Sequence, residues 1–171
     1  MADVFSKAKR SEVMSRIRSR GNRDTELALA RLLRAHKITG WRRHKELRSA
    51  KCGRRMAKGS DRIRHSSFDT RHFRVRPDFV FAKLRMVIFV DGCFWHGCPK
   101  HATKPRNNRT FWRRKLQGNK ARDRLVNRAL RRAGWRVIRI WEHELQKRGV
   151  RNAERGTTAL VRRIQRVLVS D

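Results

Sequence analysis

Residues 86–101 have the sequence MVIFVDGCFWHGCPKH, and this stretch decides the fold. The five apolar residues from Met86 to Val90 predict a short strand that is buried on both of its faces. The FVF run at 79–81 lies just before it, separated by four residues, and predicts a neighbouring strand. After Val90 the apolar run ends, and residues 91–99 are predicted to form a non-repeating loop that is dense in chemically capable side chains.

Two helical segments are predicted before these strands. Ser11 can cap a short turn that carries Met14 and Ile17, and Asp24 or Thr25 can cap a second helix. Four residues of this second helix have the i, i+3, i+4, i+7 spacing of one buried stripe: Leu29, Leu32, Leu33 and His36.

Helix and strand alternate after the loop. Residues 119–133 carry one apolar face and predict a helix that ends at Gly134, and residues 135–141 predict a third strand. Apolar residues between positions 160 and 168 mark a last amphipathic helix. The order helix, strand, strand, helix, strand, helix predicts an α/β fold in which a mixed central sheet is flanked by helices.

One segment lacks this periodicity. Residues 42–74 contain 12 Lys or Arg and only three acids, with scattered apolar side chains, and they predict a mobile basic insertion. The 171 residues suffice for one domain with a real core. The predicted single domain comprises a helical arm at 8–41, this insertion, a catalytic core at 75–147 and a C-terminal helix at 148–171.

The charge of the chain is strongly one-sided. Its 35 Arg and 12 Lys against 14 acids leave a net charge of +33, which predicts a polyanionic partner, above all nucleic acid. No apolar run is long enough to cross a membrane, and the N-terminus does not have the pattern of a signal peptide. The chain has only three cysteines, and an odd number cannot all pair, so a disulfide framework is not expected. A protein of a reducing compartment, with a metal site, is the favoured interpretation.

Two carboxylates are predicted at the ends of the first two strands. Asp78 begins one strand and Asp91 ends the next, and adjacent strands can bring such groups within reach of one Mg²⁺ ion. An Asp beside Pro77 is also a common turn former, so the spacing alone leaves both interpretations open. The unperturbed pKa of a histidine lies near neutrality, so His96 is the candidate that takes a proton from an attacking water.

Aromatic residues accompany these polar groups. Phe94 and Trp95 are adjacent in the loop, and Trp112 stands among basic residues. Such side chains belong either to a core or, in a basic protein, to a wedge that unstacks base pairs of DNA.

A cysteine and a histidine in the same loop have the spacing of metal ligands. Cys98 and His101 form a C-x₂-H pair, which is half of a tetrahedral zinc site. Asp123 and His143 are the candidates for the other half, although an acid early in a helix and a surface histidine are the simpler interpretations.

The chain resembles the very short patch repair DNA mismatch endonuclease family. The matching blocks are RPDFVF at 76–81, VIFVDGCFWHGCP at 87–99 and GWRVIRIWEHEL at 134–145. Further matches are Arg10-Ser11, Met14, Ile17, Glu26, His101, Phe111-Trp112, Asn119 and Arg122-Asp123. The resemblance covers roughly residues 8–41 and 75–147, and the block that contains the loop is highly specific.

This resemblance implies a restriction-endonuclease-like fold related to the PD-(D/E)xK nucleases. It implies a Mg²⁺-dependent nick on the 5′ side of the T in T:G mismatches, which arise when 5-methylcytosine deaminates. In the implied active site Asp78 and the backbone carbonyl of Val90 bind Mg²⁺, and His96 activates water, with Asp91 and Glu26 close by. The implied wedge residues are Phe94, Trp95 and Trp112. The implied ligands of a structural Zn²⁺ are Cys98, His101, Asp123 and His143.

The resemblance also implies partners and a cellular location, and two alternative functions stay open. The implied partner is double-stranded DNA with a T:G mismatch, and mismatch-repair proteins and a cognate cytosine-5 DNA methyltransferase are functional partners. A monomer in the cytoplasm of a prokaryotic cell, associated with the nucleoid, is expected. The alternatives are a related nuclease that cuts other DNA substrates and a non-catalytic, zinc-stabilised DNA-binding protein.

Two features depart from the family pattern, and a third departs from the pattern of nucleases in general. The basic segment 42–74 replaces a short connection, and Val75 stands where a glycine is often found. Cys93 occupies the position of the usual nuclease lysine, which is consistent with His96 acting as the base.

Overall fold

A computed structural model describes residue 12 and residues 25–49, 73–103, 105, 107–145 and 159–167. The short turn predicted after Ser11 and the end of the C-terminal helix at 168 lie outside the described residues. Residues 50–72, the larger part of the predicted insertion, lie outside them as well.

The described elements are helices and short strands. In chain order they are α1 (Glu26–Ala35), β1 (Trp41–Arg43), β2 (Leu47–Arg48), β3 (Arg74–Val75), β4 (Phe79–Phe81), β5 (Met86–Asp91), α2 (Arg109–Arg132), β6 (Arg136–Trp141) and α3 (Glu142–Leu145). A further helix, α4, covers residues 159–167. The α/β class predicted from the sequence is therefore confirmed.

The chain divides into two compact units, which we call the sheet unit and the loop unit. The sheet unit consists of residues 40–89 and 121–138, and the loop unit of residues 1–39, 90–120 and 139–171. Four strands form one sheet in the order β1-β4-β5-β6. Strand β4 is antiparallel to β1 and to β5, so that Phe79 lies opposite Ile88. Strands β2 and β3 form a separate antiparallel pair.

Strands β4 and β5 bury side chains on both faces, as their apolar runs predict. Val80 and Val87 belong to a cluster that also contains Leu47, Phe73, Val75, Val126, Ala129 and Leu130. Because side chains alternate along a strand, Phe79 and Ile88 point to the opposite face, where both are fully buried. Burial of each such side chain contributes about 1.5–3 kcal/mol to the free energy of folding. The cluster around Val80 and Val87 therefore forms the core of the sheet unit.

Helix α2 ends where the sequence predicts. Gly134 has a φ of +77°, a conformation that favours glycine because other residues carry a Cβ. Its N–H donates to the carbonyl of Arg131, and the N–H of Trp135 donates to that of Leu130, which closes the last turn. The chain then enters β6 directly.

Two predicted boundaries are wrong. The basic segment was expected to lack structure from residue 42, but β1, β2 and β3 lie at its two ends. Strands of two or three residues show too little alternation to be detected, even though Leu47 and Val75 are buried. Helix α2 begins at Arg109 instead of 119, because its buried residues all lie in its second half and its first half has no apolar stripe.

In the loop unit the helix predicted to carry Leu29 and the C-terminal helix are present. Helix α1 buries Leu29 and Leu33, and α4 buries Leu160 and Ile164. Leu32 is half-buried, and His36, which was predicted in the same buried stripe, is exposed because it lies just past the end of the helix. Thr25 precedes α1 but its side chain makes no capping hydrogen bond, and Asp24, the other predicted cap, lies outside the described residues. Within the described ranges, no helix combines the length and the apolar character that a membrane span requires.

Candidate active site and metal centre

The chain turns back on itself directly after β5. In residues 92–98 the N–H of His96 donates to the carbonyl of Gly92 (3.2 Å), and that of Cys98 donates to the carbonyl of Cys93 (2.9 Å). Gly97 has a φ of +61°, and a Cβ at this position would collide with the side chain of Lys120. The turn therefore returns Cys98 to the side of Cys93.

Four sulfur- and nitrogen-bearing side chains converge at this turn: Cys93, Cys98, His101 and His143. Their ligand atoms all lie within 4.8 Å of one another, and the two cysteines are buried. His143 Nδ1 lies 3.2 Å from Cys93 Sγ and 3.6 Å from Cys98 Sγ. His101 Nδ1 lies 3.9 Å from Cys98 Sγ. We call these four residues the Cys/His group.

The Cys/His group has the dimensions of a tetrahedral metal site. Metal bonds of ~2.3 Å to sulfur and ~2.0 Å to nitrogen place the two ligand atoms ~3.6 Å apart, close to the separations found here. Burial raises the pKa of the Cys93 thiol, and the nearby Cys98 and Glu142 raise it further. An ion that binds here must therefore displace a proton, and its affinity falls as the pH falls.

One member of the Cys/His group was not predicted. The sequence pattern indicated Asp123 as a ligand, but Cys93 is present in the group and Asp123 is not. Asp123 lies half-buried within α2. Cys93 was missed because its spacing from Cys98 matches no common ligand pair, and only the backbone turn brings the two thiols together.

Asp91 is the last residue of β5 and carries an ion pair. Its side chain is 5% exposed, and both of its oxygens accept hydrogen bonds from Arg139 of β6, at 2.5 and 2.6 Å. Such a bidentate pair holds both partners in one orientation. Asp91 is therefore held by Arg139, a partner that no sequence motif indicates.

His96 lies next to this ion pair. Its Nδ1 is 3.7 Å from Asp91 Oδ1, and its side chain is 29% exposed. The imidazole and the carboxylate therefore face each other through Nδ1 and Oδ1.

The backbone around Arg139 is held by a second ion pair. Arg163 of α4 donates to the carboxylate of Glu144 at 3.0 Å and to the carbonyl of Arg139 at 3.1 Å. The other carboxylate oxygen of Glu144 accepts the N–H of Trp141 at 2.8 Å. Helix α4 thus supports the strand that positions Arg139, a role that no sequence motif indicates.

Aromatic rings lie beside the turn and form what we call the aromatic cluster: Phe94, Trp95, Phe111 and Trp112. The ring of Phe94 is 5.1 Å from that of Trp95 and 5.2 Å from that of Trp112, edge to face. Phe94, Trp95 and Trp112 are half-buried, whereas Phe111 is 60% exposed. Asn119 donates to the carbonyl of Trp95 at 2.8 Å and fastens the loop to α2. The aromatic cluster is thus neither a closed core nor isolated side chains.

The remaining predicted residues are placed as follows. Asp78 is half-buried just before β4, and its carbonyl accepts the N–H of His44 at 3.2 Å. Val90 is half-buried in β5. Glu26 lies in the first turn of α1 and is only 6% exposed, whereas a carboxylate that merely interacts with the helix dipole would remain in water.

These features define a basic α/β protein in which one loop carries thiols and an imidazole with the geometry of metal ligands, a histidine beside a buried carboxylate, and aromatic rings. The family model of the DNA mismatch endonuclease Vsr matches residues 60–102. The DNA mismatch endonuclease Vsr of Escherichia coli strain K12 is 36% identical over 149 residues, which cover 86% of this chain and 78% of that protein. The chain belongs to the Vsr family of DNA mismatch endonucleases, and the family that its motifs resemble is thereby confirmed.

Other relatives are named as nicking enzymes. The type II nicking enzyme V.NaeI of Lentzea aerocolonigenes is 52% identical over 71 residues, which cover 42% of this chain and 43% of that enzyme. The type II nicking enzyme V.NmeAIP of Neisseria meningitidis serogroup A is 29% identical over 152 residues, which cover 88% of this chain and 89% of that enzyme. The chain thus spans about half the length of some relatives and nearly all of others. Endodeoxyribonuclease is the enzyme class of this family.

Proposed function

We propose that the protein is a Mg²⁺-dependent DNA mismatch endonuclease that nicks duplex DNA on the 5′ side of the T in T:G mismatches. The nick would initiate very short patch repair. The observation that carries the proposal is that His96, which faces Asp91, lies in the same loop as the edge-to-face rings of Phe94 and Trp95, in a family of mismatch endonucleases.

His96 is proposed as the base that activates water. The imidazole takes a proton from the attacking water, and Asp91 stabilises the imidazolium that forms because its carboxylate faces Nδ1. Arg139 fixes the orientation of Asp91 during this transfer, and so acts as a positioning residue.

Asp78 and the carbonyl of Val90 are proposed to hold the Mg²⁺ ion. Carboxylate and carbonyl oxygens are the hard donors that this ion prefers, and both residues are half-buried at strand ends, so the donor set fits. When bound, Mg²⁺ stabilises the charge that develops on the phosphate and on the leaving oxygen. Glu26, a buried carboxylate, is proposed to support the same site.

The half-buried rings of the aromatic cluster are proposed as a wedge. Phe94, Trp95 and Trp112 would enter the duplex beside the mismatch, where unstacking costs least. Exposed basic side chains on the same turns of α2 would hold the adjacent phosphates: Arg109, Arg113, Arg114 and Lys115.

The Cys/His group is proposed to bind one structural Zn²⁺ ion. Two thiolates and two imidazoles satisfy a closed tetrahedral site, which ties the turn after β5 to the end of β6.

Metal analysis tests this zinc site. We expect about one zinc per chain in the purified protein, and loss of most of it in Cys93→Ala, because three ligands cannot close the site. Asp123→Asn is the matched control and should retain zinc at the wild-type level. Zinc loss in Asp123→Asn, or full retention in Cys93→Ala, would contradict the ligand set proposed here.

The mismatch itself is tested by comparing two labelled duplexes that differ in one base. With Mg²⁺ present, a T:G duplex should be nicked at least about 100-fold faster than the matched C:G duplex, which corresponds to about 2.7 kcal/mol of barrier. Equal rates would point to a nuclease for other DNA substrates.

The wider setting is proposed from family membership. The fold is proposed to be related to the PD-(D/E)xK nucleases. The chain is expected to act as a monomer in the cytoplasm of a prokaryotic cell, associated with the nucleoid. Mismatch-repair proteins and a cognate cytosine-5 DNA methyltransferase are its proposed functional partners.

A further inference from the structure

Three arginines surround one carboxylate in the sheet unit. Glu46 lies just before β2, and its Oε2 is 2.8 Å from Arg74 Nε and 2.8 Å from Arg76 Nη2. Its Oε1 accepts a hydrogen bond from Arg48 Nε. We call Arg48, Arg74 and Arg76 the arginine triad.

The β2–β3 pair explains why these side chains meet. Arg48 lies directly opposite Arg74, and Leu47 lies opposite Val75. Leu47 and Val75 enter the core, so the alternation of side chains turns the two arginines to the outer face. Like charges that face each other across two strands are destabilising, and Glu46 offsets this repulsion.

One carboxylate does not neutralise three guanidinium groups. Three positive charges and one negative charge leave +2 at this point, and the side chains of Arg48 and Arg74 are 62% and 66% exposed. The arginines lower the pKa of Glu46 to about 2, so its carboxylate stays ionised and keeps holding them at neutral pH. Arginines that are already held in place lose less entropy when they bind an anion, and their planar forks fit phosphate oxygens.

We infer that the arginine triad is a binding site for a backbone phosphate of DNA, close to the phosphate that is cut. Only Pro77 separates Arg76 from Asp78, and two residues of extended chain span at most about 7 Å. Pro77 is fully buried, which fixes this connection. The inference rests on the proposed function, which places Asp78 at the phosphate that is cut.

Binding of a T:G duplex, measured in Mg²⁺-free buffer over a range of salt concentrations, tests this site. Arg74→Ala should bind about tenfold more weakly at moderate salt, and the slope of log K against log salt should fall by about 1, because one phosphate contact is lost. Arg48→Ala should behave in the same way. Lys83→Ala, which removes an exposed cation from the turn between β4 and β5, is the matched control and should change affinity less than about twofold.

Each outcome decides between a ligand site and a structural cluster. Arg74→Ala and Arg48→Ala proteins that bind DNA like Lys83→Ala overturn the inference, and so does a lower melting temperature with an unchanged salt slope. If the wild-type protein binds and nicks the duplex while these variants bind normally, the triad site fails and the proposed function stands. If the wild-type protein binds the duplex but does not nick it with Mg²⁺, the proposed function fails.

Discussion

Replacing Asp78 with Asn is expected to lower Mg²⁺-dependent nicking by about 10³-fold or more, with little change in DNA affinity. The substitution removes the negative charge that is proposed to hold the ion, while it preserves the size of the side chain and the backbone contact with His44. Metal stabilisation of a phosphoryl transition state is worth several kcal/mol, and each 1.36 kcal/mol is a factor of ten in rate. The measurement is single-turnover nicking of a labelled T:G duplex at saturating protein.

Asp123→Asn is the matched control for this experiment. It removes a carboxylate from α2 that belongs neither to the proposed Mg²⁺ site nor to the Cys/His group. We expect its nicking rate to stay within about threefold of wild type, as for a substitution away from the chemistry. Wild-type nicking by Asp78→Asn would show that another group binds the catalytic ion.

Replacing His96 with Gln is expected to lower nicking by about 10²–10⁴-fold, the range of general acid–base catalysis. Glutamine retains hydrogen-bonding capacity at this position but cannot accept a proton from water. The substitution should leave DNA binding and zinc content unchanged, since His96 is not part of the Cys/His group.

His36→Gln is the control for the loss of an imidazole. His36 is an exposed residue at the end of α1, and its replacement should have no effect on nicking.

A second variant, Arg139→Leu, tests whether Arg139 positions the proposed base through Asp91. It should lower the nicking rate and shift its pH profile, because Asp91 loses its partner and no longer holds the imidazole in one orientation. An unchanged rate in His96→Gln would assign the base to another residue.

The sequence predicts the fold well where apolar side chains are dense. The FVF run and the run from Met86 to Val90 appear as β4 and β5, and Gly134 ends α2 as predicted. The pattern fails for short or exposed elements. Strands β2 and β3 bury one side chain each, and the first half of α2 has no apolar face, so neither has a periodicity that could be detected.

The residue types of the candidate site can be predicted from the sequence, but the contacts between these residues cannot. The C-x₂-H spacing indicates Cys98 and His101, but the return of Cys98 to Cys93 depends on the positive φ of Gly97. Asp91 pairs with Arg139, which lies 48 positions further along the chain. No spacing pattern in the sequence connects two residues that are so far apart. Contacts between distant segments of the chain are therefore what the sequence does not predict.

The most direct test of the central claim is a nicking assay in which the two strands of a T:G duplex carry different labels. With Mg²⁺, the protein should release one product from the T-containing strand, cut on the 5′ side of the mismatched T, while the G-containing strand stays intact. Asp78→Asn should release neither product. Cleavage of both strands, or of a C:G duplex at the same rate, would contradict a strand-specific mismatch endonuclease.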